Sequence, residues 1–247
     1  MIQNEIKQYW EGEAQAYSDS IKEELLSFKK QAWLDLILEY APQKKDLKIL
    51  DIGTGPGFFS VILSEAGFDV TAIDCTENML HEAEGNLKAA GVSAKLKLMD
   101  SHKLDFPDNE FDLIINRNVT WTLHDPKAAY REWYRVLKEG GRLLIFDSNF
   151  AHRFVDDELE AKYQQALKEA AEKGFKRKGH VDQEESDRLT KLFYLTDKKR
   201  PQWDLQEFVE IGFKKIILDH DIIKRVYNEK DMALWGVIPM FMVCGQK

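Results

Sequence analysis

The sequence predicts an α/β fold in which strands and helices alternate along the chain. The first observation is an apolar segment of strand character at residues 47–52, which leads into a glycine-rich turn at residues 53–57. The second is a helical segment at residues 58–66, and the third is another strand at residues 68–73, followed directly by Asp74. Together these segments form a β-α-β unit with an acid at the tip of its second strand, which is typical of sites for nucleoside-containing ligands.

The spacing of the glycines indicates which ligand the turn accepts. The turn reads Gly53-x-Gly55-x-Gly57, and Phe58 stands where a dinucleotide-binding turn has its last glycine or alanine. The sequence also lacks the G-x-x-x-x-G-K-[ST] pattern of a phosphate-binding loop. Glycine has no Cβ, so it allows positive φ and lets a ligand approach the backbone. A ligand with a pyrophosphate, such as NAD, is therefore disfavoured.

Together with Asp51, this turn resembles the first motif of class I S-adenosylmethionine-dependent methyltransferases, of the small-molecule branch that includes the ubiquinone and menaquinone type. Three later segments, at residues 98–102, 111–116 and 135–145, resemble the regions around the third, fourth and fifth strands of that family. Glu139 departs from the pattern, because many relatives carry proline there. The resemblance implies a Rossmann-like sheet with strand order 3-2-1-4-5-7-6, an antiparallel last strand and helices on both faces. It also implies S-adenosyl-L-methionine as the cofactor and S-adenosyl-L-homocysteine as the product.

The remaining elements follow in chain order. Residues 4–41 carry two helical patterns with a break near residues 17–20, and Pro42 ends the second. Thr76 can cap a helix over residues 77–90, and residues 94–99 and 111–116 have the pattern of strands three and four. Asp125 and Pro126 predict the N-cap and first position of a helix that reaches residue 138. Strand five follows at residues 142–146.

The second half of the chain contains a long link before the last strands. Residues 150–203 form a helical insertion or lid, with helices predicted at residues 155–173 and 182–194. The basic loop between them, residues 173–180, would suit an acidic substrate or be a solvated surface segment. Asp204 is predicted to cap a helix to residue 211, and residues 213–221 and 234–245 to form strands six and seven. Pro239 predicts a bulge or a strand margin. The chain, residues 1–247, is predicted to be one domain with a helical cap at residues 1–41.

The resemblance also implies the residues that hold the cofactor. Asp74 would accept hydrogen bonds from the ribose hydroxyls, and Asp100 from the exocyclic amine of adenine. Several positions have an alternative structural role: Tyr17 as packing of the first helix, Cys75 as a buried thiol, Met79 as core, Asp100 as a turn or cap residue, and His102 as a partly exposed loop residue. The full set is Tyr17, Asp51, Gly53, Thr54, Gly55, Gly57, Asp74, Cys75, Met79, Asp100, Ser101, His102, Asn116 and Arg117.

The acceptor is expected beyond the carboxyl ends of the strands, where open α/β sheets bind their ligands. The predicted substrate contacts are Trp121 and His124 in the loop after strand four, and Asn149 after strand five. His124 is the candidate catalytic base, or else it makes a structural hydrogen bond. Arg117 could pair with the cofactor carboxylate or with an anionic substrate, or it could tie down neighbouring loops.

Bulk composition limits the other partners. The formal net charge of −8 over 247 residues argues against a general nucleic-acid binder. Two cysteines are too few for a disulfide framework and lack metal-ligand spacing, so no metal is expected. No apolar run has the length of a membrane span, and the start of the chain lacks a signal-like segment, so we expect a cytoplasmic location. Both a monomer and a homodimer are compatible with the sequence.

The function predicted from these features is methyl transfer from S-adenosylmethionine to a small-molecule acceptor by in-line displacement. Two alternatives stay open: a non-catalytic scaffold or sensor that binds the cofactor, and an NAD-dependent oxidoreductase, which Phe58 disfavours. The identity of the acceptor and of its reacting atom is not encoded in these motifs.

Overall fold

A computed structural model describes residues 2–176 and 183–247. Its sheet has seven strands in the order β3-β2-β1-β4-β5-β7-β6. All neighbouring strands are parallel except β7, which runs antiparallel to both β5 and β6. This confirms the predicted fold class and strand order. The strands are β1 Lys48–Ile52, β2 Asp69–Asp74, β3 Lys95–Leu98, β4 Phe111–Arg117, β5 Leu137–Ser148, β6 Lys215–Asp219 and β7 Met240–Gln246.

Helices cover both faces of the sheet because successive strand residues point to opposite sides. Ile49 and Leu113 belong to the core under α2 and α3, whereas Leu50 and Ile114 belong to the core under α5 and α8. The α-helices are α1 Ile2–Leu25, α2 Lys29–Tyr40, α3 Phe58–Glu65, α4 Glu77–Ala89, α5 Pro126–Val136, α6 Asp157–Glu172, α7 Gln183–Thr190, α8 Gln202–Ile211, α9 Ile223–Val226 and α10 Glu229–Trp235. Short 3₁₀ helices lie at Thr120–Thr122 and Phe150–Phe154.

The first helix is longer than predicted. The break expected near residues 17–20 is wrong, because α1 continues to Leu25 and the interruption comes at residues 26–28. Polar side chains are tolerated inside α1 because they have partners: the buried Ser18 accepts a hydrogen bond from Asn86 of α4. Ser27 then accepts from the backbone N–H of Lys29, where α2 begins. Helix α1 therefore forms one rod that lies along α4.

Two helix caps differ from the expectation. Thr76 does occupy the N-cap of α4, but its hydroxyl donates to Asp74, and the carboxylate of Glu11 accepts the N–H groups of the first two α4 residues instead. Asp204 is not an N-cap, because it lies inside the first turn of α8, where it is fully buried and bound to Arg200. The predicted N-cap at Asp125 is confirmed, since its side chain accepts from the N–H of Ala128, 3.0 Å away.

The strand boundaries also shift. Helix α5 ends at Val136 and β5 begins at Leu137, five residues before the predicted start at residue 142. Strand β7 begins at Met240, because the residues before it form α10. Asn228 and Asp231 start that helix with a capping box in which each side chain accepts the other's backbone N–H. Pro239 directly precedes β7, so it marks the strand margin, as predicted.

The link between β5 and α8 is helical in its described part. It contains the 3₁₀ helix Phe150–Phe154, α6 and α7; residues 177–182, which include part of the predicted basic loop, lie outside the described residues. Arg153 holds this link together, because it pairs with Glu160 at 2.7 Å and Asp187 at 3.3 Å. Among the helices of residues 2–176 and 183–247, none combines the length and apolar composition of a bilayer span.

Candidate active site

A cavity of about 870 Å³ opens at the carboxyl ends of β1, β2 and β4, beneath α1. Most of the residues predicted from sequence line it: Tyr17, Asp51, Gly53, Thr54, Gly55, Asp74, Cys75, Met79, Asp100, Ser101, His102, Arg117, Trp121 and His124. Three predicted residues, Gly57, Asn116 and Asn149, do not line the cavity.

Helix α1 spans the cavity from one end to the other. Gln3 near its start donates to Asp100 at 2.5 Å, and Glu24 near its end pairs with Arg117 at 2.9 Å. At 1.5 Å per helical residue these two contacts are about 30 Å apart. We call the part around Gly55, Asp74 and Asp100 the glycine-turn end, and the part around Arg117 and α10 the α10 end.

The glycine turn exposes bare backbone to the cavity. Gly53, Gly55 and Gly57 all have positive φ, at 63°, 53° and 87°. A Cβ on Gly55 would lie 3.5 Å from the Tyr17 ring and 3.9 Å from the Met79 sulfur. Gly55 therefore opens into the space between these side chains, where a ligand can reach its peptide group.

Gly57 serves helix packing instead. A Cβ on Gly57 would lie 3.1 Å from the Cβ of Ala83 in α4. Its absence lets α3 and α4 approach each other behind the turn, so the predicted role of Gly57 in contacting the cofactor is corrected to support of the turn.

Asp51 lies beneath the turn and is almost fully buried. One of its carboxylate oxygens accepts from the hydroxyls of Thr54 and Ser60, each at 2.7 Å. Burial raises the pKa of Asp51 to about 6, although the two hydroxyl hydrogen bonds and the positive charge of Arg117 act in the opposite direction. Asp51 thus lines the cavity as a carboxyl group with a pKa of about 6.

Asp74 joins the second strand to the turn. Its Oδ2 accepts from the Gly55 N–H at 2.9 Å, and its Oδ1 accepts from the N–H and hydroxyl of Thr76 at 3.0 and 2.7 Å. Burial raises its pKa against these hydrogen bonds. An ionised carboxylate offers about four acceptor positions, so a sugar hydroxyl must use the remaining one or replace one of these donors. Cys75, beside it, is exposed to the cavity, which corrects its alternative role as a buried thiol.

Asp100 is the centre of a polar cluster at the same end. It accepts from the backbone N–H of His102 at 2.9 Å, and its Oδ1 lies 2.7 Å from His102 Nδ1. The hydrogen bonds from His102 and from Gln3 hold the pKa of Asp100 well below its usual value. The His124 ring packs on the His102 ring with 3.9 Å between centroids. Burial and the neighbouring His102 lower the pKa of His124. Because His102 contacts Asp100, His124 also lies at the glycine-turn end of the cavity.

Arg117 is bound by protein groups rather than free for a ligand. Its guanidinium carbon lies 4.4 Å from the centre of the Phe58 ring, and it pairs with Glu24. The second oxygen of Glu24 pairs with Lys29 at 3.0 Å, and Lys29 pairs with Asp231 at 2.8 Å. These four side chains form a charge chain that begins at the end of β4 and reaches α10.

Of the residues predicted to contact the acceptor, Trp121 and His124 line the cavity and Asn149 does not. Trp121 lines the cavity, with its indole N–H donating to the carbonyl of Asn118 at 2.9 Å and its ring 5.4 Å from that of Phe193. Asn149 lies outside the cavity, where Ser148 and Phe150 take its place.

Two polar residues near the strand ends are buried away from the cavity. Asp147, near the end of β5, is buried and bound to Arg200 at 3.1 Å. Asn116 is fully buried, and its amide makes no hydrogen bond within the described residues. Asn116, predicted to contact the cofactor, is therefore an interior group outside the cavity lining, as is Asp147.

Sequence reasoning missed the residues of the α10 end. Glu24, Lys29, Tyr227 and Asp231 all line the cavity, but residues 234–239 were assigned to a strand and α10 was not predicted. The Asn228-x-x-Asp231 spacing is a capping signal that could have revealed this helix. The pairing of Glu24 with Arg117 had no comparable signal, because the two residues are distant in the sequence.

Comparison with known proteins agrees with this geometry. Residues 50–145 match a family described as "Methyltransferase domain". A ubiquinone/menaquinone biosynthesis C-methyltransferase from Shewanella woodyi is 33% identical over 138 residues, covering 51% of this chain and 53% of that protein. The chain spans about half or less of the length of the curated relatives it matches.

Solved structures share the fold over most of the chain. A putative S-adenosyl-L-methionine-dependent methyltransferase from Methanococcus maripaludis superposes with a TM-score of 0.56 at 22% identity, covering 93% of this chain and 91% of that one. A phosphoethanolamine N-methyltransferase from Haemonchus contortus, solved with S-adenosylhomocysteine, has a TM-score of 0.58 at 19% identity, covering 88% of this chain and 52% of that one.

The residues of the glycine-turn end fit a nucleoside cofactor. A bare Gly55 peptide faces the cavity, one acid lies at the tip of β2, and a second acid lies after β3. Residues 50–145 thus match a methyltransferase domain, and the chain shares its fold with solved methyltransferase structures, as the glycine-rich turn predicted.

Proposed function

We propose that this chain transfers a methyl group from S-adenosylmethionine to a small-molecule acceptor. The observation that carries the proposal is the meeting of the Gly55 peptide and the Asp74 carboxylate in a cavity covered by Tyr17. The sequence match over residues 50–145 and the printed functions of the relatives support it.

The cofactor would be held at the glycine-turn end. Asp74 would bind the ribose, and Asp100 would accept from the exocyclic amine of adenine, a position where Gln3 now donates. Tyr17 and Met79 flank the Gly55 peptide, so they would enclose the part of the cofactor that follows the nucleoside. When bound, the cofactor supplies a sulfonium methyl, whose transfer is an in-line displacement that leaves a neutral thioether.

The protein's own contribution is then to position the reactants and to exclude water. Helix α1 covers the cavity over its length. The link at residues 150–203 would act as a lid, since its described helix α7 contacts α1 through the pair Arg188–Glu5 at 2.5 Å. The acceptor would occupy the α10 end, with Trp121 at its border. The His124 ring packs against that of His102, which contacts Asp100, where adenine is proposed, so the geometry favours a supporting role over that of a base. We treat residues 1–247 as one domain with a helical cap.

Calorimetry with S-adenosylmethionine and an Asp74→Ala variant tests the cofactor site. Loss of hydrogen bonds to a charged group should weaken binding by about 1–3 kcal/mol. Asp69→Ala is the matched control, because Asp69 begins the same strand but is exposed and pairs with Lys95 at the surface. Equal affinities of the two variants would contradict the proposed ribose contact.

Turnover needs a separate measurement. Incubation with labelled S-adenosylmethionine and a metabolite extract should transfer label to one small molecule, which mass spectrometry then identifies. Tight cofactor binding with no labelled product from any extract would instead indicate a non-catalytic cofactor-binding protein.

A further inference from the structure

The α10 end of the cavity is lined by charges that cancel one another. Arg117, Glu24, Lys29 and Asp231 alternate in sign along the charge chain, and each adjacent pair lies within 3.0 Å. Their side chains are between 9% and 24% exposed, so water screens them little. The four groups come from β4, α1, α2 and α10, the elements that enclose this end.

Glu24 is the group that satisfies both cations. One carboxylate oxygen binds Arg117 and the other binds Lys29. Burial acts to raise the pKa of Glu24, but the attraction of Arg117 and Lys29 outweighs it, so the carboxylate stays ionised with a pKa below its usual value. This is the position that a carboxylate or phosphate of a ligand would take if Glu24 were absent, because a guanidinium and an ammonium are the preferred partners of such anions.

Apart from Lys230, the other residues named at this end are apolar or carry an uncharged hydroxyl. Trp33, Phe58, Leu234 and Trp235 line it, together with the hydroxyl-bearing Tyr227. Lys230 also lines the cavity, but it lies half-exposed in the first turn of α10, where solvent weakens its field. An acidic acceptor would therefore lose its hydration without gaining a buried, unpaired cation from the described residues that line this end.

We propose that Glu24 is a specificity-determining residue that excludes acidic acceptors, because its carboxylate occupies Arg117 and Lys29 and leaves the α10 end suited to an uncharged, largely apolar molecule. Rejection of a wrong ligand by a like charge is a recognised source of specificity. The inference rests on the proposed methyltransferase function, since it names the class of molecule that the acceptor end takes.

Glu24→Gln tests the proposal, because the amide keeps the shape of the side chain and removes its charge. Benzoate and benzamide are matched probes, one anionic and one neutral, and their binding is measured by calorimetry with S-adenosylhomocysteine present. The variant should bind benzoate at least about tenfold more tightly than the wild type does, the scale of a new buried carboxylate–guanidinium pair. Its affinity for benzamide should not change.

Glu39→Gln is the control, because it removes the same charge from an exposed pair with Arg225 on the outer surface of the protein. It should leave the binding of both probes as in the wild type. A Glu24→Gln protein that still binds S-adenosylhomocysteine but shows no gain for benzoate would overturn the proposal, as would a wild type that prefers benzoate to benzamide.

Asp231→Asn provides a second variant if Glu24→Gln does not fold. It frees Lys29 from one of its two carboxylates, and asparagine can still accept the Asn228 N–H that Asp231 accepts now. A smaller gain for benzoate is expected, and its absence counts against the proposal. Failure of the methyltransferase function itself would be seen separately, as a wild type that does not bind S-adenosylhomocysteine or shows no turnover, whereas the benzoate measurement compares proteins that all bind S-adenosylhomocysteine and requires no turnover.

Discussion

Replacing Asp51 by asparagine should remove a specific pH dependence from the stability of this protein. Asp51 is almost fully buried, and burial is the main cause of the rise in its pKa from 3.8 to about 6. As the pH increases above 3.8, the unfolded chain therefore releases the Asp51 proton, whereas the folded chain retains it up to about pH 6. Because the unfolded state binds fewer protons in this window, the free energy of unfolding falls as the pH rises, and it becomes constant above the folded pKa.

The size of the effect follows from the two pKa values. Each pKa unit corresponds to about 1.4 kcal/mol, so the full rise is worth about 3 kcal/mol. About 2 kcal/mol of this change falls between about pH 4 and about pH 7. Asparagine carries no titrating proton, so Asp51→Asn should gain that amount of stability relative to the wild type across the same interval. Asp74, whose pKa is also raised, is present in both proteins and largely cancels in the comparison.

Urea unfolding followed by tryptophan fluorescence at several pH values measures this difference. Asp69→Asn is the control for the loss of one carboxylate, because Asp69 is exposed on the surface at the start of β2. Parallel pH profiles of Asp51→Asn and the wild type would refute the reasoning, since they would show that Asp51 ionises equally easily in the folded and unfolded chains.

Further predictions concern helix packing, the buried ion pairs and the proposed base. In urea unfolding, Gly57→Ala should lower the free energy of unfolding by about 1–3 kcal/mol more than Gly67→Ala does. Both residues have φ near 88°, but only at Gly57 would the new Cβ lie against α4. Equal losses of stability would contradict the packing role. Arg200→Met should destabilise the chain by about 3–5 kcal/mol, because it leaves the two carboxylates that pair with Arg200 buried and unpaired, whereas Arg225→Met at the surface should cost less than about 1 kcal/mol. His124→Gln should keep kcat within about threefold, because His124 is proposed to support the site and not to act as a base. Loss of a general base would lower kcat by about 10²–10⁴-fold. A loss of that size that follows a titration in the pH profile would show that His124 is a base.

The parts of the site that could be predicted from sequence are those encoded by neighbouring residues. The turn at Gly53 and Gly55 needs positive φ, and Asp74 ends the very next strand, so both could be located from local spacing. Asp125 followed by Pro126 is similarly a local signal for a helix start, and the structure has it there.

The parts that could not be predicted depend on distant partners. Ser18 was thought to mark a break in α1, but Asn86 of α4 satisfies its hydroxyl and the helix continues. Asp147 follows a strand in the way that ligand-binding acids do, yet Arg200 from beyond the insertion pairs with it in the interior. The charge chain at the α10 end is a third case, since Glu24 and Arg117 are far apart in the sequence and adjacent only in the fold.

Helix α1 contacts both ends of the cavity, so a movement of this helix would affect both ends. Near the start of α1, Gln3 donates a hydrogen bond to Asp100, and near its end Glu24 pairs with Arg117. Lifting α1 to admit a nucleoside would loosen the acceptor wall at the same time, and reseating it would restore both. Both reactants would thus enter, and both products leave, past the same helix.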